Sequence, residues 1–231
     1  MSIETIYETL RSAGLTHAGA CGLMGNMKAE SGMKANIAQR GMTAMSDEQY
    51  TAAADAGTIS FEYDSVGYGL CQWTFWSRKA GLLKFARAYG VSVGDEAMQV
   101  SYCIRELTEE YPSVWRILTT GTDIDACSDI VCTQFERPAV NNLEQRRSYA
   151  REFDLRFRGA PDPSAVAQAP AAPLPGTQDD EQDIPQDPSI LMLQAILCYN
   201  GYETPITGLR SRAFYEKLRE FTDDVIRMGG G

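Results

Sequence analysis

The chain has 231 residues, 44% of them hydrophobic, and a formal net charge of −10. That is enough for one good domain and a small second one. The charge argues against nucleic acid, where Lys and Arg must neutralise phosphates. No apolar run approaches the roughly 18 residues needed to cross a bilayer, and no Walker or dinucleotide fingerprint occurs.

Residues 1–158 read as a mainly helical domain with one irregular insert. The opening MSIETIYETLRSAG lacks a basic flank followed by an apolar core, so it is not a signal peptide. Synthesis in a host cytoplasm is therefore expected. Ser2 caps a first helix that stops near Gly14, and Thr16 caps a second running through Leu23, Met24 and Met27 to Glu30. The second helix carries Ala18, Gly19, Ala20, Gly22 and Gly25, small residues that admit neighbouring backbones but weaken an isolated helix by about 1 kcal/mol per interior glycine. It is the expected buried central helix.

Residues 33–58 have no clear period apart from a short helix capped by Ser46 and ended at Gly57. Ile59, Phe61 and Tyr63 then alternate with Ser60, Glu62 and Asp64, which predicts a short strand with both acids on its polar face. Gly67 and Gly69 permit a tight turn. Apolar helical stripes return at Leu82–Tyr89 and Met98–Leu107, Pro112 opens a short helix, and Thr122 with Asp125 resembles a capping box for a helix to Glu136. After Pro138, Asn141 or Asn142 caps a last helix through Leu143, Tyr149, Phe153 and Phe157. Arg137 and Arg147 are read as surface ion-pairing residues.

Residues 159–188 hold most of the prolines, an acidic run, no aromatics and no Lys or Arg, and are read as an extended linker. Residues 189–231 resume an apolar pattern suited to a small helical module, near the lower size limit for independent stability.

The residue inventory narrows the chemistry. Six cysteines without an export signal or CxxC are expected to be buried thiols. The chain has one histidine, His17, whereas a catalytic zinc needs two or three imidazoles or an equivalent ligand set. No metal or cofactor is expected. A Cys–His nucleophile, Cys21 with His17 as base, stays open as a peptidase or amidase alternative. Glu30, among Leu23, Met27 and Ala29 and followed by Ser31-Gly32, suits a proton donor whose carboxyl is partly buried.

Two motifs in order, GNMKAESG (25–32) and DSVGYGLCQWTFWSRK (64–79), followed by FERPAVNNLEQRRSYA, resemble the phage tail-tip lysozyme family over roughly residues 5–157. That family is similar to goose-type lysozymes and soluble lytic transglycosylases, which share a Glu-Ser dipeptide and a G-x-G-L-x-Q segment. The resemblance implies a lysozyme-like fold, mainly α (α+β), with a small β-hairpin region. It implies cleavage of the peptidoglycan glycan between N-acetylmuramic acid and N-acetylglucosamine, by a phage or prophage lysin acting at the cell wall. Glu30 would be the general acid, with Gly69, Leu70 and Gln72 lining the sugar cleft beside Tyr68, Trp73 and Trp76. Asp64 is the first choice for second carboxylate and Glu62 the second, with Ser31 and Thr74 adjacent. Goose-type lysozymes place an Asp where this chain has Thr74, so a lytic transglycosylase using Glu30 alone is the alternative reading. The C-terminal segment LMLQAILCYNGYETPITGLRSRAFYEKLREF resembles a peptidoglycan-binding module, with Thr207 in place of the usual Asp. A non-catalytic wall-binding tail protein is a further alternative.

Overall fold

A computed structural model of the chain describes residues 2–160. The expected linker, beyond Gly159 and Ala160, and the expected C-terminal module lie outside the described residues.

The N-terminal signals operate as read. The Ser2 hydroxyl accepts from the Thr5 amide to start α1, Ile3–Ser12. Thr16 accepts from Gly19 to start α2, His17–Ser31, which ends at Gly32 in the left-handed region (φ 61°). Ser46 and Gln49 form a reciprocal capping box for α3, Asp47–Ala56. Then follow α4, Trp76–Tyr89, α5, Glu96–Glu110, α6, Pro112–Thr120 with proline in its first turn, and α7, Ile124–Ile130. Asp123 caps α7 by accepting from the Ala126 amide, so the expected Thr122/Asp125 box is replaced by a cap one residue on. The helix continues as a π-helical turn, Val131–Glu136, closed by the Arg137 amide donating to the Cys132 carbonyl at 2.8 Å. Arg137 ends it at φ 49°, and α8 runs from Leu143 to Phe157.

The expected central helix is α2. Every residue from Ala18 to Met27 is buried, and its neighbours are α8, α7 and α6. Its small residues set how closely they come. A Cβ on Gly19 would stand 2.0 Å from the Leu118 carbonyl oxygen, and one on Gly25 would stand 2.7 Å from the Ala150 amide nitrogen. Gly19→Ala therefore forces α6 away from α2. A loss of about 1–3 kcal/mol is expected from overpacking, read as a lowered thermal midpoint. An unchanged midpoint would show that α6 yields freely.

The predicted strand does not form. Residues 59–64 make a turn, with Phe61 in the core, Tyr63 exposed and Asp64 drawn inward. The alternation came from side chains leaving a tight turn in different directions. Among the described residues, β pairing is limited to two isolated bridges, Ala38–Tyr68 and Tyr68–Trp73. The second closes the turn Gly69–Gln72, where φ is +75° at Gly69 and +45° at Gln72. The β-hairpin region thus reduces to one tight turn on a helical frame. Buried Gln99 pins it, accepting from the Leu70 amide at 2.9 Å and donating to the Ala35 and Val93 carbonyls.

Cys21, Cys71, Cys103, Cys127 and Cys132 are buried free thiols, and Cys198 lies outside the described residues.

Candidate active site

The end of α2 opens onto a cleft of about 1460 Å³. Its walls come from the 30–40 segment, from Glu62, Tyr63 and Ser65, from Cys71, Gln72 and residues 74–78, from Glu110 and Tyr111, and from the chain from Phe135 to Ala139. Glu30 stands at the mouth of α2, its side chain 16% exposed. The Arg146 guanidinium reaches it from α8, with Nη2 donating to Glu30 Oε1 at 2.6 Å. Arg146 is itself held by Asn26 Oδ1 (2.9 Å) and the Asn141 carbonyl (2.8 Å). Asn26 in turn donates to the Gly22 and Ser128 carbonyls, so four segments fix one carboxylate. A fixed carboxyl half out of water, facing an open cleft, is the arrangement that proton transfer to a bound polymer requires.

The expected sugar-contacting residues divide. Gln72, Thr74, Trp76, Ser31 and Glu62 line the cleft with Glu30. Tyr68, Gly69, Leu70 and Trp73 do not: all four are buried, and Tyr68 and Trp73 have no exposed surface. This corrects the reading of the Gly-rich segment as a lining. The Tyr68 hydroxyl meets Thr51 at 2.6 Å, and Trp73 Nε1 donates to buried Glu106 at 2.9 Å. The segment is the cleft's foundation, and within residues 67–73 it is Cys71 and Gln72, the latter at φ +45°, that border the cavity. Gln72 Nε2 donates to the Gly69 carbonyl at 3.1 Å.

Asp64 is likewise placed away from the cleft. It accepts from Lys79 Nζ at 2.5 Å, from the Tyr50 hydroxyl at 2.6 Å and from the Val66 amide at 3.0 Å. Lys79 has no exposed side-chain surface, and burial lowers its proton affinity while the Asp64 carboxylate opposes that shift. Asp64 is thus the counter-ion of a buried ammonium, a structural task that occupies both its oxygens.

Three groups escaped the sequence reading. Arg146 is the first. The second is the pair Tyr63 and Phe75, which join the expected Trp76 in an exposed aromatic cluster on the cleft wall: Tyr63 (71% exposed) stacks on Trp76 (52%) at 6.2 Å and Phe75 (61%) adjoins it at 6.1 Å. The third is Glu136, at the last position of the π-helical turn. It lines the same cleft, and its Oε1 is enclosed without a hydrogen-bond partner. Burial pushes its carboxyl up to about 8 against the pull of Arg78, with Glu30 adding to the rise. Of the two arginines assigned to the surface, Arg147 pairs with Asp129 and Glu144, whereas Arg137 lines the cleft.

His17 sits elsewhere. Its Nδ1 meets the Tyr7 hydroxyl at 2.7 Å and its Nε2 meets Asp154 at 2.8 Å. Cys21 lies 3.8 Å from Nε2, has no exposed surface, and burial pushes its thiol up to about 12. A protonated, enclosed thiol beside an imidazole whose two nitrogens are occupied is not an activated nucleophile. Among the described residues no group of three or more His, Cys, Asp or Glu side chains could hold a metal ion, and no helix is long and apolar enough to cross a membrane.

A helical domain with a carboxylate at the end of its buried central helix, opening into a cleft, has the lysozyme-like fold. The family model for phage tail lysozyme matches residues 2–154, and the chain belongs to that family. Membership implies lytic activity on bacterial peptidoglycan. No curated protein matches the chain.

Proposed function

We propose that this protein cleaves the glycan strand of peptidoglycan between N-acetylmuramic acid and N-acetylglucosamine, with Glu30 as general acid. The observation that carries this reading is the setting of Glu30, fixed by Arg146 at the mouth of a buried helix and facing the cleft. Protonation of the glycosidic oxygen lets the C1–O bond break with its electrons on the leaving sugar. A muramidase completes the reaction with water. A lytic transglycosylase completes it with the muramic acid's own 6-hydroxyl and needs no base carboxylate. The engagement of Asp64 by Lys79 favours that second reading, whereas Glu62 on the cleft wall leaves a carboxylate available to the first.

Mass analysis of digested sacculi separates the outcomes. Reducing-end muramic acid marks a hydrolase and anhydromuramic acid a transglycosylase. New amino termini from cut stem peptides, or binding to sacculi without release of any fragment, would sink the glycosidase reading.

The aromatic cluster supplies apolar faces for sugar rings at one wall of the cleft. Trp76→Ala is expected to raise KM for glycan about fivefold, equivalent to ~1 kcal/mol, with kcat changed less. An unchanged KM would place the glycan on another wall. The 159–188 linker and 189–231 module are proposed, from sequence, to tether this domain to the wall and raise local substrate concentration.

A further inference from the structure

We propose that Glu136 is a positioning residue of the cleavage reaction: it acts through Glu30, holding in the resting cleft the proton that Glu30 delivers to the glycosidic oxygen. This inference rests on the glycan-cleaving reading of Glu30.

The geometry comes first. Glu136 and Glu30 line one cleft, reached from well-separated parts of the chain by the π-helical turn and α2. Their surroundings differ. Glu30 accepts a charge-assisted bond from Arg146 Nη2 at 2.6 Å. Glu136 Oε1 is enclosed and accepts nothing. Glu136 is half-buried, but a carboxylate oxygen enclosed without a partner is costly to leave charged, and the carboxylic acid is the form that such a position tolerates. One carboxyl is thus bonded to an arginine and the other has an oxygen with no partner, and such a difference in surroundings is how a site keeps a proton at hand at neutral pH.

The charges around Glu136 agree. Arg78 on α4 and Arg146 on α8 favour its ionised form, while Glu30 on α2 and Glu106 on α5 oppose it. Arg78 is already committed, gripping Glu106 through Nε at 2.5 Å and Nη2 at 2.8 Å. The thiols of Cys71 and Cys132 are within electrostatic reach, and burial raises both, so they add no charge at neutral pH. Burial dominates the balance, and Glu136 keeps its proton up to about pH 8. Because Glu30 and Glu136 interact, the last proton belongs to the pair.

The balance through one turnover is simple. The pair gives one proton to the glycosidic oxygen as the C1–O bond breaks with its electrons on that oxygen. The carboxylate left behind faces the positive charge growing at C1. Water, or the sugar's 6-hydroxyl, then bonds to C1 and returns its proton to the pair.

The pH–rate profile of the full chain on purified sacculi tests this. Wild type is expected to lose activity along an alkaline limb near pH 8. In Glu136→Gln the enclosed acid is gone, and Glu30, bonded to Arg146, is left to supply the proton alone. The limb should then fall by about one unit or more. A uniformly lowered rate with the limb unmoved, or an unaltered profile, overturns the proposal. Glu136→Asp keeps a carboxyl and should hold its limb above that of Glu136→Gln; coincident limbs also overturn it. Wild type with 13C-labelled glutamate carboxyls needs no variant. One glutamate titrating near pH 8 is expected, and complete ionisation of all glutamates by pH 6 sinks the idea. Absence of glycan fragments from wild type at every pH instead sinks the parent reading, whereas fragments with an unmoved limb sink only the role of Glu136.

Discussion

Glu30→Gln is expected to reduce release of glycan fragments from sacculi by about 10²–10⁴-fold, the usual contribution of a general acid. The amide keeps the size and one acceptor of the carboxyl, so Arg146 retains a partner at that position and its bonds to Asn26 and Asn141. Stability should fall by only about 1–2 kcal/mol, the difference between a charged and a neutral hydrogen bond in a partly buried site. The two readouts therefore separate. Fragment release per folded molecule should collapse while the melting transition moves little. A variant that still releases fragments at near wild-type rate would remove Glu30 from the chemistry.

Asp64→Asn is expected to show the opposite pattern. It leaves the buried Lys79 ammonium without its anion, with only the Tyr50 hydroxyl and the Val66 carbonyl as partners. Breaking a buried pair by removing one member costs about 3–5 kcal/mol, much of it the uncompensated charge. Asp64 keeps some contact with water, its side chain being 22% exposed, so the lower end applies. The double variant Asp64→Asn/Lys79→Met should recover most of the loss, because a neutral aliphatic chain can replace the ammonium between Phe61 and Tyr50. Chemical denaturation measures both. Fragment release per folded molecule below the melting transition should stay within about threefold of wild type, since Asp64 lies off the cleft. A stable but inactive Asp64→Asn would restore Asp64 to the reacting groups.

The frame of the domain was written locally, which is why it was legible. Ser2, Thr16 and Ser46 cap helices by bonding amides three residues on, and the small residues of α2 announce close neighbours whatever those neighbours are. Glu30 was legible for the same reason, as the end of that helix. The partners of the site residues were not local. Asp64 meets Lys79 from the next helix, and Glu30 meets Arg146 across 116 residues. An alternating pattern cannot report which side a turn presents, so Glu62 and Asp64, neighbours on paper, part company. Tyr68 and Trp73 look like ligand-facing aromatics in a Gly-rich loop, yet the core takes them. One signal was available and unused. The buried face of α8 is Arg146, Ala150, Phe153 and Phe157, so Arg146 occupies a place in an apolar stripe. A guanidinium in such a stripe must find a buried anion. Glu136 carried no such mark, because a π-helical turn shifts the helical register at that point.

The burial of α2 on all sides also dictates when the enzyme can come into being. The helix that carries Glu30 is made early, but the backbones that enclose it are α6, α7 and α8, the last ending at Phe157. Isolated helices of its length are marginal in water even with better composition. A nascent chain therefore holds Glu30 on an unformed segment until some 130 further residues have been made, and the guanidinium that fixes it is among the last parts supplied. Assembly of the site coincides with completion of the domain, which couples lytic competence to the end of its synthesis rather than to any earlier folding step.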